Sequence, residues 1–165
     1  MALPTPAAVV LYRGPLLQPL RLLLRMKVAQ LGTAAGAAIP IGLLASGESL
    51  SLLETGGLAA LVAGSGAASA ALYYYGRRYV GELALVGDSV RISSFDFWGH
   101  RLDMVVPRAD VVPPLEGLSA AEFAVAASAP LLPLPVIGHR QFALSLRYGT
   151  ILKKEELKAL LCSRP

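Results

Sequence analysis

Two long apolar stretches dominate the hydrophobic pattern of the chain. Residues 28–47 and residues 55–75 carry no charged side chain, whereas an average soluble sequence would place roughly five charges in each. A helix of about 20 residues spans about 30 Å, the thickness of the hydrocarbon core of a bilayer. With residues 48–54 as a short connecting loop, the pattern predicts a transmembrane helical hairpin over residues 28–75.

The residues that end the second stretch favour the same interpretation. Tyr73, Tyr74 and Tyr75 are followed by Arg77 and Arg78, the order of an interfacial aromatic belt with flanking cations. The alternative is a pair of buried helices in an Ala-rich soluble domain. We favour the hairpin because neither stretch has the polar face that a surface helix carries.

Small residues repeat at helical spacing within both stretches. Gly32 and Gly36 form a GxxxG step in the first stretch, and Gly64 begins a small-xxx-small pair in the second. Such faces allow two helix backbones to approach closely. We therefore expect Gly32, Gly36 and Gly64 to pack against a helix, either within the hairpin or in a partner protein.

After residue 76 the pattern changes to that of short strands. Residues 79–86, 89–98 and 102–106 have strand-like patterns, and turns at Gly87 and Gly99 separate them. Runs of this kind around Gly-containing turns are typical of antiparallel hairpins. The sequence therefore predicts a small antiparallel meander.

The pattern is less decisive between residues 118 and 138. Ser119 and Glu122 have the spacing of a capping box, which favours a helix over residues 118–127. Residues 123–127 equally suit a strand. The Pro/Leu-rich residues 128–138 predict an irregular loop.

The end of the chain completes the predicted fold. Residues 141–147 predict a last strand, and residues 152–161 predict a short amphipathic helix. The predicted fold class is an α+β membrane protein, with a two-helix transmembrane hairpin followed by a small antiparallel β domain and a C-terminal helix. The predicted divisions are an N-terminal matrix segment with a candidate targeting region, the hairpin, and a matrix-facing tail domain, over residues 1–27, 28–75 and 76–165.

The distribution of charge predicts an orientation in the membrane. Residues 1–47 carry no acidic side chain, and the connecting loop carries only Glu48 and Glu54. The positive-inside rule places both termini on the negative side, which is the cytosol or the mitochondrial matrix. The net charge of +4 is mild, and its cations are scattered, so we expect no nucleic-acid partner.

Few residues carry candidate chemistry. The two histidines and Cys162 lie far apart, and the chain has no metal-ligand spacing and no nucleophile or phosphate-loop motif. Asp96 and Asp103 could form a carboxylate pair, but an ion pair with Arg101 is the favoured interpretation. We therefore expect no enzyme, no metal, no cofactor and no small-molecule substrate.

Aromatic residues are densest around the turn at Gly99. Phe95, Phe97 and Trp98 lie within four residues, and buried aromatic side chains dominate protein interfaces. The alternative for Trp98, which we favour, is that it closes the core of the tail domain. For Phe95 and Phe97 the interface and structural roles stay equally open.

Several stretches resemble the transmembrane protein 186 family. They are LYR at residues 11–13, LRMKVAQ at residues 24–30, FWGHRLD at residues 97–103 with ADVVP at residues 109–113, and LRYGTIL at residues 146–152. Order and spacing match over nearly the whole chain. The combination of the FWG and LRYG stretches is fairly specific.

The resemblance implies a location and a role. It implies a multi-pass protein of the mitochondrial inner membrane with both termini in the matrix, and a non-enzymatic assembly factor that scaffolds membrane-arm intermediates of respiratory complex I. The implied partners are other complex I assembly factors, membrane-arm subunits and the lipid bilayer. An alternative is a structural subunit or assembly factor of another respiratory complex such as ATP synthase.

Overall fold

A single strand and a pair of long helices precede a small antiparallel sheet in the chain. The computed structural model describes residues 8–15, 17–45 and 51–163, without the side chains of residues 17–18, 34–35, 37–45, 52–55 and 58. Its helices are α1 (Leu17–Ala45), α2 (Leu52–Arg78), α3 (Ala120–Ser128) and α4 (Lys154–Cys162). Its strands are β1 (Val9–Arg13), β2 (Glu82–Val86), β3 (Ser89–Phe95), β4 (Arg101–Pro107), β5 (Leu132–Leu134), β6 (Phe142–Leu144) and β7 (Thr150–Ile151).

The main sheet is antiparallel, with the strand order β4-β3-β2-β1-β7. The meander β2-β3-β4 confirms the hairpins predicted around Gly87 and Gly99. Gly87 adopts a φ of +60° at the first turn, a backbone conformation that favours glycine. Strand β3 ends at Phe95 because the next residue, Asp96, begins the turn.

Strand β1 was not predicted from the sequence. It lies between β2 and β7 in the sheet, and its residues Leu11 and Tyr12 are fully buried. Immediately after it, the Gly14 N–H donates to the Gly81 carbonyl at 2.8 Å. The N-terminal segment therefore contributes an interior strand to the sheet of the tail.

The prediction of an irregular loop over residues 128–138 was wrong in part, because β5 lies within it. Strands β5 and β6 form an antiparallel ribbon, in which Pro133 faces Ala143. A proline lacks the N–H of a ladder hydrogen bond and is tolerated on an edge strand. The Val80 N–H donates to the Ala143 carbonyl at 2.8 Å and joins the ribbon to the main chain after α2.

The hydrophobic core lies between the main sheet, the ribbon and α4. On α4, Leu157, Leu160 and Leu161 are buried at the spacing of one helix face. The remaining buried members come from the strands and the segments beside them: Leu11, Tyr12, Val80, Leu83, Val90, Ile92, Val106, Val111, Leu115, Leu132, Leu134, Val136, Phe142 and Leu144. The core is thus aliphatic apart from Tyr12 and Phe142.

Helix α3 resolves the ambiguity of residues 118–127 in favour of the helix. The capping box is confirmed: the Glu122 N–H donates to Ser119 Oγ at 3.4 Å, and the Ser119 N–H donates to Glu122 Oε2 at 2.9 Å. These bonds satisfy two N–H groups that a helix start otherwise leaves without partners.

The predicted transmembrane hairpin over residues 28–75 was wrong. In the part of the chain that the structure describes, no helix is both long and apolar enough to cross a membrane. Helix α1 begins at Leu17, so Arg21, Arg25 and Lys27 lie within the helix and not before it. The charge-free remainder is rich in Ala, Gly and Ser, whose small side chains offer little apolar area for transfer out of water.

The fold class is therefore α+β, with a helix pair beside an antiparallel sheet. The multi-pass arrangement with both termini in the matrix was derived from the same hairpin and is not confirmed. The connecting loop predicted over residues 48–54 lies largely outside the described residues. The division of the chain at residues 27 and 75 stays a prediction.

Candidate interaction surface

The turn between β3 and β4 is held by a single carboxylate. Asp96 Oδ1 accepts hydrogen bonds from the backbone N–H groups of Trp98, at 2.9 Å, and His100, at 2.7 Å. Asp96 Oδ2 lies 3.2 Å from His100 Nδ1, and Gly99 has a φ of +76°. These contacts fix the backbone of residues 96–100, which we call the aromatic loop.

The aromatic loop presents two rings that contact each other and α2. The Phe97 ring centroid lies 5.5 Å from that of Trp98 and 6.1 Å from that of Tyr73, both in edge-to-face geometry. Trp98 is 57% exposed, so the favoured prediction that it closes the core was wrong. The tight turn at Gly99 carries Trp98 beyond the end of β3, away from the core.

Phe95 and Phe97 have different surroundings, although both lie on the face opposite to Trp98 in the predicted alternation. Phe95 is buried, and its carbonyl lies close to Gly76 of α2. Phe97 is half-buried in contact with Tyr73. Phe95 thus joins the sheet to the helix pair, and Phe97 and Trp98 remain the accessible members of the cluster.

The aromatic loop lies at the ends of both long helices. A side chain at Gly99 would come within 3.2 Å of the Arg21 carbonyl and 3.5 Å of the Arg25 side chain on α1. On α2, the Arg77 guanidinium lies 5.4 Å from the centre of the Tyr73 ring and donates a hydrogen bond to the Tyr73 hydroxyl. Aromatic and basic side chains therefore surround one exposed tryptophan.

The small residues of the helix pair fall on two different faces. Ser65 and Ser69 are buried, and Gly76 packs against Leu24 of α1. Gly64 is exposed, and no described atom lies within 4 Å of the position of its absent Cβ. The first of these faces thus provides the contact between the helices.

Gly32 and Gly36 of α1 have equally open surroundings. Both are exposed, and no described atom lies within 4 Å of the position of either absent Cβ. The described helix pair therefore does not use these glycines for close packing. A role in binding a partner helix stays a prediction for Gly32, Gly36 and Gly64.

A row of polar residues crosses the sheet beside the aromatic loop. Arg13, Glu82, Ser93 and Asp103 face one another on successive strands. Arg101 links the row, because its Nη2 donates to Glu82 Oε1 at 2.7 Å and its Nε donates to Asp103 Oδ1 at 2.6 Å. The predicted ion pair of Arg101 with Asp103 is confirmed.

Glu82 is the centre of this network. Its side chain is 10% exposed and also lies 3.1 Å from Arg91 Nη2 and 3.5 Å from Arg13 Nε. Burial alone would raise the pKa of Glu82, but the hydrogen bond from Arg101 and the charges of all three arginines outweigh burial and lower that pKa. The network is therefore a fixed ion cluster that holds four strands in register.

The sequence prediction missed Glu82 and the neighbourhood of Arg77. Cross-strand register could have shown the first, because Glu82 pairs directly with Ser93 and Arg13. No local signal indicates that Tyr73 and Arg77 would meet Phe97. Among the described residues, no group of three or more His, Cys, Asp or Glu side chains could hold a metal ion.

The fold and this surface define a small α+β protein with a helix pair whose ends meet an exposed aromatic loop. The chain is 32% identical to transmembrane protein 186 of Bos taurus over 149 residues, covering 88% of this chain and 68% of the bovine protein. It is 31% identical to transmembrane protein 186 of Homo sapiens over 148 residues, covering 87% of this chain and 66% of the human protein. No family model matches the chain.

The chain belongs to the transmembrane protein 186 family. The family predicted from residues 97–103 and the other matching stretches is thereby confirmed.

Proposed function

We propose that this chain is a non-enzymatic assembly factor of the mitochondrial inner membrane, which scaffolds membrane-arm intermediates of respiratory complex I from the matrix side. Its partners would be other complex I assembly factors and membrane-arm subunits. Membership of a family named for a transmembrane protein supports a site of action at a membrane. The resemblance of residues 97–103 and 109–113 to that family supports the choice of complex I.

The observation that carries the scaffolding role is the exposure of Trp98 on a rigid loop. A tryptophan that is 57% exposed leaves much of a large apolar ring in water, and burial of such rings is the main energy source of protein interfaces. Because Asp96 already fixes the loop, a partner that covers Trp98 orders little backbone on binding.

The exposed glycines offer a second contact of a different kind. Gly32 and Gly64 lie in open surroundings on helices that already contact each other through another face. A partner helix could approach these backbones closely, since no side chain stands between. The proposal therefore assigns the aromatic loop and the glycine faces to protein partners.

The test is affinity purification of the tagged chain from digitonin-solubilised mitochondria, followed by native gels and mass spectrometry. We expect subcomplexes that contain membrane-arm subunits and assembly factors but not finished complex I. Recovery at fixed stoichiometry in mature complex I or ATP synthase would instead make the chain a structural subunit. Absence of complex I subunits from every fraction would refute the proposal.

A matched pair of aromatic variants tests the role of the loop. Trp98→Ala should reduce recovery of the subcomplexes about tenfold or more, as for an interface hot spot. Tyr148→Ala is the control, because Tyr148 is 56% exposed and lies outside the aromatic loop. Equal recovery with both variants would exclude the aromatic loop as the contact.

A second pair tests the glycine faces. Gly64→Leu should weaken recovery because a large side chain would separate the helix backbones. Gly66→Leu is the control, since Gly66 has equally open surroundings and points to the other side of α2. Gly32→Leu repeats the test on α1, and unchanged recovery with both Gly32→Leu and Gly64→Leu would exclude these faces.

A further inference from the structure

Three arginines converge where α2 ends and the β5–β6 ribbon begins. Arg77 and Arg78 close α2, and Arg140 precedes β6. Among the described residues, none of the three has a carboxylate within ion-pair distance. The Nε atoms of Arg77 and Arg140 are buried and have no hydrogen-bond partner. The site thus has positive charge and donors that the protein does not satisfy.

The mutual approach of these charges is visible in the behaviour of Arg140. Burial lowers the pKa of Arg140 below its ordinary value, and the positive charges of Arg77 and Arg78 lower it further. Like charges at such close quarters repel each other, and an anion placed among them would remove the repulsion. The planar guanidinium group also matches the geometry of phosphate oxygens.

Aromatic rings hold two of the guanidinium groups in place. Arg78 lies 4.1 Å from the centre of the Tyr74 ring, and Arg140 lies 5.3 Å from the centre of the Phe142 ring. Both rings line one apolar cavity of about 360 Å³, which Arg78 also lines. The charged groups are therefore fixed at the wall of an apolar space.

That cavity adjoins two others and forms what we call the arginine groove. The neighbouring cavities measure about 240 and 580 Å³, and Leu131 lines all three. Tyr79 is shared by the two further cavities, and Ala143 is shared by the first two. The groove therefore extends from the arginines over apolar side chains.

We propose that the arginine groove binds an anionic phospholipid, with the phosphate on Arg77, Arg78 and Arg140 and an acyl chain along Leu131 and Ala143. A soluble phosphate would use only the charged end of this site, and an acidic peptide would leave the apolar cavities unfilled. The exposed rings of Tyr73, Tyr74 and Tyr75 beside the groove are suited to the boundary between lipid and water. This site is independent of any role with complex I.

The test is native mass spectrometry of the purified full chain in detergent, with added phosphatidylglycerol, phosphatidylcholine or glycerol phosphate. We expect one phosphatidylglycerol retained per chain, with phosphatidylcholine and glycerol phosphate each bound at least tenfold more weakly. Glycerol phosphate binding as tightly as the lipid would mean a phosphate site only. Equal binding of both lipids would mean that the arginines do not select the ligand. Either result overturns the proposal.

Paired variants locate the lipid on the protein. Arg78→Gln with Arg140→Gln should weaken phosphatidylglycerol binding at least tenfold, as expected for lost charge-assisted contacts. The control is Arg147→Gln, because Arg147 also stacks on an aromatic ring, that of Tyr148, but lies outside the groove. An equal loss with the control variant would indicate unspecific attraction by net charge and overturn the site.

A groove-filling substitution tests the acyl-chain part without changing charge. Ala143→Met should reduce phosphatidylglycerol binding and leave glycerol phosphate binding unchanged, whereas Ala121→Met on the exposed surface of α3 should change neither. Unchanged lipid binding with Ala143→Met would overturn the groove. This pair decides the proposal even if the arginine variants do not fold. Because no respiratory subunit is present, the result is separate from that of the proposed function.

Discussion

Replacement of Glu82 by glutamine should destabilise the fold measurably. The side chain keeps its size and one acceptor oxygen but loses the charge that faces Arg101, Arg91 and Arg13 at 2.7, 3.1 and 3.5 Å. The hydrogen bonds from Arg101 and Arg91 become charged-to-neutral bonds, and three arginine charges lose their common partner. The perturbation is therefore electrostatic, with little change in packing.

The magnitude follows from the exposure of the partners. A hydrogen bond to a charged group contributes about 1.5–3 kcal/mol, and loss of one charge roughly halves it. The side chains of Arg101 and Arg13 are 44% and 57% exposed, so water replaces part of what they lose. We expect a loss of about 2 kcal/mol in the free energy of unfolding, or roughly 4–8 °C in Tm for a chain of this size.

The assay is urea and thermal unfolding of the purified chain followed by circular dichroism. Glu116→Gln is the matched control, because Glu116 is exposed and forms no ion pair among the described residues. A Tm for Glu82→Gln that equals that of the control would refute the argument that the ion cluster holds the strands.

The same variant has a defined pH dependence. The folded-state pKa of Glu82 lies below its ordinary value of 4.5, so its stabilisation is complete at neutral pH and is lost as the pH falls through the folded-state pKa. The difference in stability between the natural chain and Glu82→Gln should therefore shrink below about pH 4.5. A difference that stays constant down to the acid transition would contradict this assignment.

Further substitutions test other contacts. Tyr12→Phe removes a hydroxyl that donates to the Ser145 carbonyl at 2.9 Å and accepts from its N–H at 3.1 Å; we expect a loss of about 2 kcal/mol in urea unfolding, and a loss below about 0.5 kcal/mol would contradict it. Gly149→Ala places a methyl group against the Tyr12 ring and should cost about 1–3 kcal/mol by overpacking, whereas a neutral result would mean that the ring moves freely. Ser119→Ala should return the lowered pKa of Glu122 towards its ordinary value, because the Ser119 side chain and backbone hydrogen bonds lower it; an unchanged pKa in an NMR titration would contradict the capping box.

Local patterns predicted the local parts of the fold. Gly87 and Gly99 identified both turns of the meander, and the spacing of Ser119 and Glu122 identified the start of α3. Each of these signals involves residues a few positions apart, where the chemistry of a turn or a helix start decides the structure. The elements formed in this way needed no knowledge of distant contacts.

The parts that the sequence did not predict depend on distant partners. Strand β1 is stable only because residues 82–86 and 150–151 lie on either side of it. Strand β5 contains Pro133 and pairs only along the ribbon. The absence of charge from residues 28–75 was taken as sufficient for a membrane span, yet Ala- and Gly-rich helices with cations inside α1 do not meet that requirement in the described residues.

The candidate site was predicted only in outline. The density of Phe95, Phe97 and Trp98 indicated an important cluster, but which ring is buried depends on how the helix ends meet the sheet. The arginine groove combines Arg78 with Arg140, which are distant in sequence, and no pattern within a window could join them. Charge counted along the chain does not show where it gathers in space.

Strands β1 and β2 stand on either side of the helix pair in the chain and are direct neighbours in the sheet. In topological terms, α1 and α2 are therefore the greatly enlarged loop of an ordinary β-hairpin, closed at its base by the bond between Gly14 and Gly81. Closure of a longer loop costs only slowly more entropy. Lengthening or shortening of the helices at their far end is thus expected to leave the sheet intact, so the two parts can change in sequence at separate rates.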